Sequence, residues 1–294
     1  MLNLILGFVL GLVLGSLVDC LAARAIREES FWGRSYCEHC KHKLSWYDLF
    51  PILSFLLLKG KCRYCHKKIT QENLLVEILM GLLVGLLFFV SFPQDWIQAL
   101  ELLFKTFVVV ILVTVFITDL KTGLIYDRVT YPAIIITLIY LLLSVAFKTF
   151  TLYQKIKDSV IGSYLLKGTD YFYQHSLDNI WILVNALLAA LLIGLFFGGL
   201  IFVTRGRGLG GGDLKLGIFI GLALGFPNAL LALFIAFLVG SVVGIGLLLS
   251  KVKKFGQTIP FGPFLSLGAF ISLFWGQQII SWYLNTFSTR GSIF

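Results

Sequence analysis

Charge is what this chain has least of. Only 13% of its 294 residues are Asp, Glu, Lys or Arg, while 58% are hydrophobic and the mean hydropathy is +0.92; a soluble domain carries about 25% charge. That shortage excludes an ordinary water-soluble globular protein. The surplus apolar surface must face lipid, so the chain reads as an all-α polytopic membrane protein. Two further absences narrow the class. A transporter needs polar groups at mid-membrane depth, and the hydrophobic stretches here have few: Asp19, Glu101 and Lys105 stand toward stretch ends, the last two at the i,i+4 spacing of an ion pair. The first stretch has neither a basic n-region nor an Ala-x-Ala exit, so it is expected to be retained rather than removed as a signal peptide.

What is present is about eight apolar stretches, most near the ~20 residues that a bilayer requires. They run over Leu2–Leu21, Leu74–Phe92, Ala99–Ile117, Val129–Phe147, Ile180–Val203, Leu214–Gly225, Asn228–Ser250 and Phe261–Leu284. The sixth is short, and Gly225-Phe226-Pro227 separates it from the seventh as in a tight hairpin. The chain divides into a first transmembrane helix (1–23), a cysteine-rich loop (24–73) and a transmembrane core (74–294). Residues 24–73, 119–128, 204–215 and 251–260 hold 18 of the 24 basic residues, and simple alternation of the spans puts all four loops on one side. The positive-inside rule makes that side cytoplasmic. The net charge of +9 is therefore a topology signal and a surface for anionic headgroups of the lipid bilayer, and no nucleic-acid partner is expected. Between the fourth and fifth spans, residues 148–179 are polar and aromatic. Tyr153, Ile156, Val160 and Tyr164 fall at near-helical spacing, which predicts an amphipathic helix at the outer interface.

The first loop contains Cys37-Glu38-His39-Cys40 and Cys62-Arg63-Tyr64-Cys65, two C-x-x-C pairs 21 residues apart. That spacing matches a tetrahedral zinc site of the ribbon type, with Cys37, Cys40, Cys62 and Cys65 as ligands and the metal in a structural role. A reducing cytoplasmic face makes disulfides the weaker reading. His39, His42 and His66 stand beside the cysteines as substitute ligands or solvated bystanders, and Cys20, in the first span, reads as a small packing residue. Between the pairs, Leu44 to Ser54 is aromatic and apolar but too short to span. It reads as an interfacial anchor, a segment packed on the cysteine module, or a substrate contact.

Two carboxylates carry the chemistry. Asp119 closes the third apolar run, and Asp213 follows Gly210-Gly211-Gly212 at the start of the sixth. An ionisable group in such a place is a functional hypothesis by default, and the glycines admit close backbone approach. Alone, Asp119 reads as a helix-end residue or a partner of Lys121, and Asp213 as an N-cap or a partner of Lys215. Together on one membrane side they fit an aspartic peptidase. Two adjacent carboxylates share a proton; one activates water as a base while the other polarises the scissile carbonyl.

Taken with Gly15-Ser16 through Arg24, Trp46-Tyr47-Asp48, Gly60-Lys61-Cys62-Arg63, Val76-Glu77, the Asp119…Asp127 stretch, Gly210 to Lys215 and Ile259 to Phe264, the chain resembles the type IV prepilin peptidases, or leader peptidase/N-methyltransferases, over nearly its whole length. The resemblance implies that Asp119 and Asp213 are catalytic, with Gly210, Gly212, Asp127 and Lys215 supporting them. It implies cleavage of the short basic leader of prepilins or pseudopilins at the cytoplasmic face of the bacterial inner membrane. It also implies N-methylation of the new N-terminal residue by S-adenosylmethionine, with Glu77 and the cysteine loop linked to that step. A basic leader would find local attraction at Glu28, Glu29, Glu38, Asp48 and Glu72. The chain departs from the family pattern at Tyr126 and Glu38, where proline is common, and at Glu72-Asn73-Leu74, in place of Arg-Tyr-Pro. No glycine-rich Rossmann turn is present for the methyl donor. The competing readings are a G-x-G-D peptidase without methyltransferase activity, which needs no cysteine module, and a zinc-binding membrane scaffold, which needs neither aspartate.

Overall fold

The computed structural model describes residues 1–37, 39–68, 71–158, 162, 170–206, 210–251 and 259–288. Among them the chain is helical, with isolated bridges but no extended strand. The helices are α1 (Leu2–Ile26), α2 (Leu53–Leu57), α3 (Gln71–Val90), α4 (Trp96–Thr122), α5 (Asp127–Lys157), α6 (Tyr171–Thr204), α7 (Gly211–Leu224), α8 (Asn228–Leu249) and α9 (Gly262–Ser288), with a 3-10 turn at Trp46–Leu49. Seven of them, all but α2 and α7, are long and apolar enough to cross a membrane. α7 is the short sixth stretch. Its 14 residues reach about 21 Å at ~1.5 Å per residue, less than the ~30 Å hydrocarbon core.

Residues 148–179 differ from expectation. Lys148–Lys157 continue α5 and Tyr171–Asn179 begin α6, so this part is the extension of two spans rather than a separate surface helix. Helices of 31 and 34 residues exceed what the bilayer core requires and project beyond it. Their ends pack on each other, with Tyr153 edge-on to Phe172 at 6.1 Å between centroids. Val160 and Tyr164 lie outside the described residues.

The chain forms two compact units, Met1–Val129 and Thr130–Phe294. In the first, α1 lies along α3, and α4 packs on both. Gly7, Gly11 and Gly15 recur every fourth residue, hence on one face of α1, and they let the two backbones touch. A Cβ at Gly15 would stand 2.5 Å from Glu77 Cα, one at Gly7 2.6 Å from Phe88 Cβ, and one at Gly11 would run into Met80 and Gly81. At the end where α1 finishes and α3 starts, Lys121 of α4 pairs with Glu72 of α3 at 2.7 Å. Three antiparallel spans thus bring the cysteine loop and the C-terminal end of α4 to the same end of the unit. Just beyond α4, Arg128 donates to the carbonyls of Glu28 and Glu29.

In the second unit, α7 lies against α6 by the same device. Gly217 faces Ile193 and Phe197, and a Cβ at Gly221 would come within 2.6 Å of Ala190 Cα. Leu141, Ala186, Ala190 and Leu222 close the core between α5, α6 and α7. The turn from α7 to α8 is held by one side chain of α6: Asn185 Oδ1 accepts the Phe226 N–H at 2.8 Å and Asn185 Nδ2 donates to its carbonyl at 3.0 Å. Phe261, from the Ile259–Phe264 motif, packs on Phe237 of α8 with ring centroids 4.9 Å apart.

Gly11→Leu is expected to drive α1 off α3. Overpacking against side chains costs about 1–3 kcal/mol, and here the obstacle is backbone. Thermal unfolding in detergent should show a clear drop in midpoint, while Gly199→Ala, where nothing stands within 4 Å of the added carbon, should leave it unchanged.

Candidate active site and metal centre

The cysteine loop folds as two copies of one knuckle. In the first, the Cys37 amide donates to His42 O and the Lys41 amide to Cys37 O; in the second, the Cys62 amide donates to Lys67 O and the His66 amide to Cys62 O. The flanking bridges, Tyr36 to Lys43 and Lys61 to Lys68, repeat at the same offset. Lys41 and His66 occupy equivalent places and both turn through the left-handed region, with φ of 57° and 54°. The result gathers the four sulfur atoms within 4.8 Å of one another. Cys37 and Cys65 Sγ stand 3.9 Å apart, close to the ~3.8 Å that separates two sulfurs bonded at ~2.3 Å to one tetrahedral ion. All five cysteines are free thiols in this structure, and the four of the cluster could hold one ion.

Electrostatics show why this set fits a dication. Burial raises the Cys37 thiol, but the Cys40 and His39 amides and the neighbouring thiols outweigh it and bring the group down to about 7. The Lys67 amide lowers Cys65, yet burial and hydrogen bonds with Cys62, Cys40 and Cys37 outweigh that and push it up to about 11. One thiolate forms readily and the last is resisted by the negative charge already gathered. A divalent ion removes that resistance, because binding displaces the protons. His42 packs tilted against Tyr64, 3.7 Å between ring centroids, and is not among the residues of the four-sulfur group.

The aromatic segment after the first knuckle packs on the module. Asp48 accepts from Arg63 Nε at 2.8 Å, within the second knuckle, and from the Ser45 amide at 3.2 Å, while the Arg63 guanidinium lies over the Tyr47 ring at 4.8 Å. The chain then turns at Ile52, whose φ of 58° is a rare conformation for a β-branched residue. Glu77 of α3 holds that turn: its Oε2 accepts the Ile52 amide at 2.8 Å. Glu77 is thus a clasp between the loop and the membrane helices, a role its sequence neighbours do not reveal. Three of the acids expected to attract a basic leader are engaged locally, Asp48 with Arg63, Glu72 with Lys121 and Glu29 with the Tyr36 hydroxyl at 2.6 Å. Glu38 lies outside the described residues.

Asp119 is buried in the last turn of α4, which stops at Gly123 with φ +67° and the Gly123 amide on Asp119 O. Lys121 points to Glu72. Eight residues on, Asp127 is exposed in the first turn of α5. Asp213 sits in the first turn of α7, where its Oδ2 accepts the Gly210 amide at 3.1 Å; this fixes the carboxylate against the amide end of the helix, a position that favours the anion. Nothing would crowd a side chain at Gly211. Lys215 lies over the Tyr131 ring at 4.8 Å, tying the start of α7 to α5. Asp119 belongs to the first compact unit and Asp213 to the second.

These features define a class: a multi-pass helical membrane protein with a four-cysteine knuckle module in one unit and helix-end aspartates in both. Residues 9–91 match the model of the bacterial peptidase A24 N-terminal domain, and residues 106–245 match that of the type IV leader peptidase family. A prepilin leader peptidase/N-methyltransferase of Aeromonas salmonicida (strain A449) is 31% identical over 253 residues, covering 86% of this chain and 75% of the relative. Relatives bearing the same name in Bacillus subtilis (strain 168) and Vibrio cholerae are 29% and 28% identical, over 95% and 94% of this chain and 96% and 98% of theirs. No solved structure matches. The chain belongs to the type IV leader peptidase family.

Protein purified without chelator is expected to hold one divalent metal per chain by elemental analysis. Because binding requires thiolates, and the Cys37 thiol is lowered to about 7, retention should fall as the pH drops below that value, with protons reclaiming the sulfurs. Joint replacement of Cys37 and Cys62 by Ser should abolish it.

Proposed function

We propose that this chain is a prepilin leader peptidase/N-methyltransferase of the bacterial inner membrane. It removes the short basic leader of type IV prepilins or pseudopilins at the cytoplasmic face and methylates the new N-terminal residue. Membership of the family, over both its N-terminal and peptidase portions, is the observation that carries this reading.

Asp119 and Asp213 share one proton in the cleavage step. The ionised member draws a proton from water, whose oxygen adds to the scissile carbonyl carbon. The protonated member donates to the carbonyl oxygen and then a proton passes to the leaving amine. The Gly210 amide steadies Asp213, and Asp119 is buried at the end of α4. Asp127 and Lys215 support this pair, as do Gly210 and Gly212. The metal of the cysteine module is zinc, in a structural role, because four thiolates close its coordination sphere. S-adenosylmethionine supplies the methyl group, and residues 24–73, clasped to α3 by Glu77, form the part of the chain tied to that step. The basic loops on the Asp119 side support a cytoplasmic active site.

Asp119→Asn and Asp213→Asn should each lower leader cleavage of a co-expressed prepilin by about 10²–10⁴-fold with the protein still inserted and folded, whereas Asp127→Asn should cost far less. Gel shift and mass spectrometry of the pilin measure both. Persistence of cleavage in the two single variants would remove the dyad, and mature pilin that never gains the mass of one methylene would remove the methyltransferase half.

A further inference from the structure

One carboxylate is left unused by the peptidase reading. Asp19 stands one helical turn beyond Gly15 on α1. Gly15 rests on Glu77 Cα, and Asp19 and Glu77 line the same space. That space is a cavity of about 320 Å³, bounded by α1, the cysteine module and α3, with Ile117 and Lys121 of α4 at its edge. Its volume falls in the ~300–1,000 Å³ range of small-molecule sites. Asp19, Glu29, Asp48 and Glu77 are its acidic lining, and Ser16, Cys20 and Ala23 of α1 line it beside Asp19.

The cavity is unevenly satisfied. Four of the cations that line it are engaged by the protein itself: Arg24 donates to the carbonyls of Ser30, Phe31 and Gly33, Arg27 to the Tyr36 hydroxyl, Arg63 to Asp48, and Lys121 to Glu72, while Lys67 and Lys68 also line it. Glu77 accepts the Ile52 amide. Asp19 Oδ2, by contrast, is buried and accepts no hydrogen bond among the described residues. A buried acceptor left so is destabilising, the more for a charged group, unless something positive completes it. A sulfonium fits beside that carboxylate, since it carries a full positive charge and no N–H or O–H, and so interacts chiefly by charge.

We propose that this cavity is the methyl-donor site and that the Asp19 carboxylate faces the donor's positively charged sulfur. The assignment rests on the N-methyltransferase reading above and adds the residues that carry it. In the transfer, the new N-terminal amine nitrogen attacks the donor's methyl carbon; the N–C bond forms as the C–S bond breaks. The bonding pair returns to sulfur, leaving a neutral thioether, and the proton released from nitrogen passes to solvent. The positive charge that Asp19 holds therefore disappears from the donor at the moment of reaction. Asp19 grips S-adenosylmethionine and relaxes on S-adenosylhomocysteine, so it favours exchange of product for fresh donor.

The test is equilibrium binding of both compounds to the full-length protein in detergent. Asp19→Asn should weaken S-adenosylmethionine by about tenfold, the size of one charge-assisted contact, and change S-adenosylhomocysteine by less than about twofold, with the bound metal retained as the sign of folding. Donor affinity equal to wild type overturns the proposal and leaves the pilin's N-terminal ammonium as the cation for Asp19; equal loss of both compounds overturns the sulfonium contact. Should Asp19→Asn lose its metal, Ala23→Leu, which adds bulk to the lining, must weaken both compounds at least tenfold, and unchanged affinity there overturns the cavity assignment. A wild-type protein that binds no donor and leaves cleaved pilin unmethylated refutes the N-methyltransferase reading itself. One that binds and methylates, with Asp19→Asn indifferent, refutes only the site.

Discussion

Close backbone contact between α1 and α3 is the constraint from which the first unit follows. Lipid offers no hydrophobic drive for two apolar helices to associate, so van der Waals packing has to do it, and small residues permit the approach. Gly7, Gly11 and Gly15 remove every side chain from one face of α1. The consequence is more than cohesion. With the helices in register, Glu77 stands where it can accept the amide of Ile52, a β-branched residue turned into the left-handed region. That clasp fixes the end of the aromatic segment, and Asp48 fixes its beginning to Arg63 inside the second knuckle. The metal module is therefore docked to the membrane helices by the Glu77 carboxylate and held to its own aromatic segment by Asp48.

Much of this was legible in the residues, and the reason is locality. The cysteine module needs only two C-x-x-C turns, each a short-range fold, so spacing alone located its ligands. Apolar run length revealed the spans, because the bilayer thickness is a fixed ruler. Asp213 stood out because glycine precedes it and a helix follows. The roles of Glu77 and Asn185 were not legible, since each depends on a partner distant in sequence: Ile52 lies 25 residues from Glu77, and Phe226 lies 41 from Asn185. The regular recurrence of Gly7, Gly11 and Gly15 was the one available signal of close helix packing, and it points to α3 only once the helices are in place. The segment around 148–157 misleads for a different reason. Polar composition marks departure from lipid but not the end of a helix, and α5 simply continues into water.

α4 carries the last consequence. Ile117 and Lys121 line the cavity beside α1 and α3, while Asp119, two residues from each, is turned by about 200° around the helix axis. The compact-unit boundary falls after Val129, beyond Asp119 and before Asp213. The two activities thus do not follow the lines along which the chain is divided. A shortened protein lacking the cysteine module and its supporting helices would forfeit one of the proposed cleavage carboxylates with them, and a stand-alone methylating fragment would still carry half of the peptidase. Transplanting either activity would require keeping α4 whole.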